Sequence, residues 1–95
     1  MKSPLVVGFI DYLDEHLNRE YVITSIYRPS DRDSEHYTGE AIDIACTTSR
    51  HRFKLVELGI LFGCTRIGIY PRHIHFGFKE EKDQDVIWLG TYNEK

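Results

Sequence analysis

Two short stretches of this 95-residue chain gather side chains that bind metals. In the segment 39–45 (Gly-Glu-Ala-Ile-Asp-Ile-Ala), an extended backbone places Ile42, Ile44 and Cys46 on one face. Gly39, Ala41, Asp43 and Ala45 take the other. In the segment 73–78, Ile74, Phe76 and Phe78 share a face opposite His73, His75 and Gly77. Each segment thus has a bulky apolar face suited to a core and an opposing face that sets ligand-type residues among small neighbours. A merely solvated face would more often carry Lys, Glu and Thr, so the small neighbours predict a cleft above the sheet. His36 precedes Asp43 in the loop leading into its strand. With His75 it gives two imidazoles and one carboxylate with a fourth position open, the form of a catalytic zinc site. Nitrogen ligands with a single carboxylate also suit zinc better than magnesium or calcium. Taken singly, His36 reads as a polar turn residue, Asp43 as a strand-end hydrogen bonder and His75 as a bonded core histidine. Only the joint pattern favours a metal.

These residues need elements to hold them. Ser3-Pro4 has the form of a helix start, a capping hydroxyl followed by Pro at the first helical position. Leu5, Val6, Phe9, Ile10, Leu13 and Leu17 then recur at three- and four-residue spacing, predicting an amphipathic helix over about 4–18. The β-branched run 22–26 predicts a strand that ends at Pro29, and the polar stretch 29–38 a loop. After the strand at 39–45, Thr47, Thr48 or Ser49 caps a second helix whose expected apolar stripe is Phe53, Val56, Ile60 and Leu61, with Gly63 as its stop. Three further strands are expected at 65–70, 73–78 and 86–89, the first two joined by a Pro71-Arg72 turn. Strands and helices mix without regular βαβ alternation, so the fold class is α+β, a mostly antiparallel sheet packed on two helices in one domain spanning 1–95.

Composition narrows the function. With 12 Lys plus Arg against 15 Asp plus Glu and a net charge of −3, nucleic-acid binding is not expected. No apolar run approaches the roughly 20 residues of a membrane span, so no membrane insertion is expected, and a monomer is. Cys46 and Cys64 form no C-x-x-C and are expected as reduced, packed thiols. The amino terminus lacks the pattern of a signal peptide, which implies cytoplasmic synthesis. His16 and His51 are expected at the surface. Trp88 and Tyr92 are expected to close the core, and the run 79–83 to form a solvated turn.

The residues 34–43 read S-x-H-x-x-G-x-A-x-D at every fixed position. This resembles the first metal motif of the zinc D-Ala-D-Ala carboxypeptidase and L-alanyl-D-glutamate peptidase family, whose members cut peptidoglycan stem peptides and whose fold hedgehog signalling domains share. The segment 66–71 (Arg-Ile-Gly-Ile-Tyr-Pro) followed by His73-Ile74-His75 is similar to the family's glycine-rich strand leading into H-x-H. Tyr27-Arg28-Pro29 matches the element that precedes the first motif. The resemblance covers about residues 23–78.

It implies that His36, Asp43 and His75 bind Zn2+ and that His73 is the additional active-site histidine. It also implies that Arg28 neutralises oxygens of the substrate or transition state. Ser34 and Arg72, with Arg28 and Arg32, are the residues expected to meet the anionic stem peptide. The chain departs from the family at one position. Many members carry a general-base Glu three residues before the last His ligand, where this chain has Arg72. Either His73 serves instead, or the site binds zinc without cutting well. The expected activity is hydrolysis of stem-peptide amides, as a D-Ala-D-Ala carboxypeptidase or an L-Ala-D-Glu endopeptidase. A phage-type lysin of this kind would reach the wall by holin-type release or as a virion component. The alternative is a zinc-binding, catalytically decayed structural or binding module. A non-metal protein would require both motif matches to be accidental.

Overall fold

The computed structural model describes residues 3–26, 32 and 34–91. Ser3 opens helix α1 (Pro4–Leu17) as expected, its side chain accepting the Val6 N–H, with Pro4 in the first turn. Strand β1 (Ile23–Ser25), strand β2 (Ala41–Ala45), helix α2 (Ser49–Phe62), and strands β3 (Arg66–Ile69), β4 (His73–Gly77) and β5 (Val86–Leu89) follow. Thr48 caps α2 and Gly63 ends it in the left-handed region at φ 106°. The expected loop before β2 contains a 3-10 helix, Glu35–Thr38. Periodicity does not reveal so short a turn, which owes its existence to caps: the Ser34 hydroxyl accepts the His36 N–H, and Gly39 closes it at φ 73°.

The five strands form one sheet in the order β1-β2-β4-β3-β5, antiparallel except for the parallel pair β3–β5. The molecule is therefore α+β, a mixed sheet with two helices. The core lies on the expected face. Ile42, Ile44, Ile67, Ile74 and Phe76 meet Val6, Phe9 and Leu13 from α1 and Leu55 and Leu58 from α2, all essentially inaccessible. The Phe9 ring packs 4.8 Å from that of Phe76. Cys46 and Cys64 are buried free thiols, as expected.

Two core expectations fail. The buried stripe of α2 is Leu55, Leu58 and Gly59, with Val56 and Phe62 packed beside it. Phe53, Ile60 and Leu61 of the expected stripe are instead exposed, at 72%, 55% and 65%. Gly59 accounts for the rotation: a Cβ there would fall 2.5 Å from the Phe76 ring, so this bare position lets the helix settle onto the sheet. Trp88, expected in the core, pairs with Gly68 and so shares the opposite face of the sheet with His75. Tyr92 lies outside the described residues. His16 is exposed as expected, whereas His51 is half-buried.

Candidate metal centre

Strand pairing assembles the site. Asp43 of β2 stands directly across from His75 of β4, and Ala45 across from His73, all on the face away from the helices. The 3-10 helix delivers His36 above β2. His36 and Asp43 lie 7 residues apart and His75 a further 32 along the chain. All three are buried: His36 is 0% exposed, Asp43 4% and His75 8%. Oδ1 of Asp43 lies 3.1 Å from Nε2 of His36 and 3.1 Å from Nδ1 of His75. One ligand atom from each residue lies within 4.8 Å of the others, so the group can hold a metal ion.

The outer hydrogen bonds orient the two rings. Nδ1 of His36 lies 2.6 Å from the Ile26 carbonyl, which can only accept, so Nδ1 carries the proton. Nε2 of His36 faces Asp43, where a neutral ring offers a lone pair to a cation and a protonated ring donates to the carboxylate. On His75 the outer nitrogen is Nε2, 2.9 Å from Oε2 of Glu35, and the inner one is Nδ1. Two inner imidazole nitrogens thus converge on one carboxylate oxygen, an arrangement that protons on the rings or a metal cation can bridge. Tying the outer N–H of each ligating histidine to a carbonyl or carboxylate is also how metal sites fix tautomer and ring orientation. The donor set therefore fits a cation.

Charge tells the same story. Burial works to raise the Asp43 carboxyl, but hydrogen bonds from His36 and His75 overcome it and hold the group well below the usual carboxylate range. Burial works to lower His75, and its hydrogen bonds to Asp43 and Glu35 overcome that, raising its pKa. Glu35 behaves like Asp43: against burial, hydrogen bonds from His75, Arg66 and the Lys79 N–H bring it down to about 2. The neighbourhood is built to attract positive charge.

Glu35 is the residue that sequence reasoning missed. It is 2% exposed, and its Oε1 accepts from Arg66 Nε at 3.0 Å and from the Lys79 backbone at 3.2 Å. The expected solvated turn at 79–83 is thus partly an anchor, since the Asp83 carbonyl also accepts from Arg66 Nη1. The signal lay in the glycines. Small residues on this face were expected to leave an open cleft, yet side chains of this chain fill part of that space. A Cβ at Gly77 would fall 2.2 Å from the Glu35 oxygens, one at Gly68 2.5 Å from the Trp88 indole, and one at Gly90 2.0 Å from the Tyr70 ring. These side chains wall the histidines. Trp88 lies 5.5 Å from the His75 ring, and its Nε1–H donates to the Tyr70 hydroxyl.

The remaining expected residues fall as follows. His73 is half-buried at the edge of the site, with Nε2 3.7 Å from Oδ2 of Asp43 and its ring stacked on Tyr70 at 4.5 Å. Ser34 is committed to capping the 3-10 helix. Arg72 is exposed in the β3–β4 turn, and its carbonyl accepts the Cys46 N–H. Arg28 lies outside the described residues, as do Tyr27 and Pro29. Among the described residues no helix is long and apolar enough to cross a membrane. Comparisons with known protein families, with curated proteins and with solved structures find no match, which leaves the geometry of the site as the guide to its chemistry.

Proposed function

We propose that the chain is a zinc peptidase that hydrolyses amide bonds of peptidoglycan stem peptides. The observation that carries the metal half is the convergence of Nε2 of His36, Nδ1 of His75 and Oδ1 of Asp43, with both outer nitrogens already engaged. Two nitrogens and one carboxylate oxygen are a zinc-type set, and three protein ligands leave a position for water or substrate. The substrate half rests on the resemblance of 34–43 and 66–75 to the zinc D-Ala-D-Ala carboxypeptidase and L-alanyl-D-glutamate peptidase family.

When bound, zinc supplies Lewis acidity toward a carbonyl and activates water near neutral pH. His36, Asp43 and His75 would hold it. His73, beside Asp43 and less buried than the ligands, is placed to take a proton from water and return it to the leaving amine, a task suited to imidazole. The Tyr70 ring stacked on it fixes its plane. Arg28 would counter charge on the substrate.

A second reading, a zinc-binding module without catalysis, has one observation in its favour. Arg72 stands where the family carries its general-base Glu, and Glu35 does not replace it. The Glu35 oxygens are engaged by His75, Arg66 and Lys79, at the opposite ring nitrogen from the one facing Asp43.

Metal analysis with digestion of purified peptidoglycan tests both readings. Wild type should carry one zinc per chain and release peptide products, and His36→Ala should do neither. Zinc-loaded wild type without product would favour the second reading. Equal product release by wild type and His36→Ala would rule out the peptidase.

A further inference from the structure

Glu35 is a buried carboxylate that the three-ligand site does not use as a ligand. With its side chain 3% exposed, it persists only because three donors meet it: His75, Arg66 and the Lys79 N–H. The fold reserves a glycine at position 77 and a buried arginine for it. We propose that Glu35 is a positioning residue for the metal centre: its carboxylate accepts the Nε2–H of His75, orients the ring with Nδ1 toward Asp43, and so raises affinity for a divalent cation. The proposal rests on the metal reading of His36, Asp43 and His75.

The division of its oxygens separates this role from a plain ion pair. Oε1 alone serves Arg66 and Lys79, while Oε2 is given to His75 at 2.9 Å. Without that acceptor, a neutral His75 ring is free to carry its single proton on Nδ1 and donate it to the Asp43 carboxylate, a charge-assisted bond that a metal must displace. A carboxylate on the outer nitrogen also makes the imidazole a better electron-pair donor. Arg66 completes the support: its guanidinium lies 5.1 Å from the centre of the Trp88 ring, and Trp88 in turn packs against His75.

The test compares wild type, Glu35→Gln and Glu35→Ala by Co2+ titration in competition with a chromophoric chelator, with visible absorption of the loaded forms and urea unfolding of the metal-free forms. Glu35→Ala should bind Co2+ roughly 10–100-fold more weakly, the usual cost of losing such an outer partner, with altered absorption bands. Glu35→Gln keeps the shape and one acceptor oxygen but no charge, so its affinity should fall between the two. The Gln variant is decisive if the Ala variant does not fold. A folded Glu35→Gln with wild-type Co2+ affinity would overturn the proposal. Wild type that binds neither Co2+ nor Zn2+ would instead overturn the metal reading itself.

Discussion

Asp43 is the hub of the site because one oxygen, Oδ1, meets both imidazoles, while strand pairing fixes its backbone opposite His75. Replacing it by Asn keeps the shape but removes the charge, so Asp43→Asn should fold and lose stoichiometric zinc, measured by metal analysis after gel filtration. His73→Ala should do the reverse, keeping zinc while product release falls by roughly 10²–10⁴-fold, the usual contribution of a general acid–base group. Retained activity in that variant would remove His73 from the mechanism. Cys64 gives a prediction of another kind. Burial outweighs its backbone hydrogen bonds and pushes its thiol up to about 11, so little thiolate exists near neutrality. Labelling with iodoacetamide at mildly alkaline pH should be slow in the native protein and prompt in denaturant. At this scale the clustering of Asp43 and His75 was legible in the sequence because period two puts each on the face opposite the bulky apolar residues of its strand, while His36 was singled out by the motif at 34–43. Glu35 was not, because its direction is set by a capped 3-10 turn and by the space above Gly77, a residue far along the chain.

Helix α2 shows where legibility stops at the scale of elements. Its existence and ends follow from Thr48 and Gly63, but its rotation does not, because Phe53, Ile60 and Leu61 are as apolar as the Leu55 and Leu58 that are actually buried. The choice is made by the partner surface, where Gly59 admits the Phe76 ring. Urea unfolding should therefore separate neighbours of equal hydrophobicity. Leu58→Ala should cost about 2–5 kcal/mol through its cavity. Leu61→Ala should stay within about 0.5 kcal/mol, as exposed substitutions do. Comparable losses in the two variants would contradict the observed rotation. The strands were easier to read, since β-branched runs and a Pro-containing turn mark them. Their order was not, because nothing local tells β5 to lie parallel to β3 at the sheet edge.

For the whole molecule, the buried charges set a pH window. Glu35, held at about 2 against an ordinary 4.5, contributes stability that is present above the ordinary value and lost as pH falls toward 2. His75, raised above an ordinary 6.5, contributes stability that is full below that value and lost as pH rises through its folded value. Protein treated with chelator should therefore be most stable between about 4.5 and 6.5. Zinc bound at Nδ1 would take the place of a proton there, so its addition should move the optimum upward in pH, and at 100 times Kd it should add about 2.7 kcal/mol. Thermal melts across pH, with chelator and with zinc, check both the window and its displacement. An optimum that does not move would contradict metal binding at His75. The pairing of Asp43 with His75 has one more consequence, for how the chain finds its fold. These residues are 32 apart in sequence, so no short segment of the unfolded chain presents the chelate. A slip of β2 by one residue would turn Asp43 toward the helices and Ile44 outward. An ion held at this place would therefore select the correctly threaded sheet against its nearest misregistered competitor, and would work as a proofreader of strand alignment.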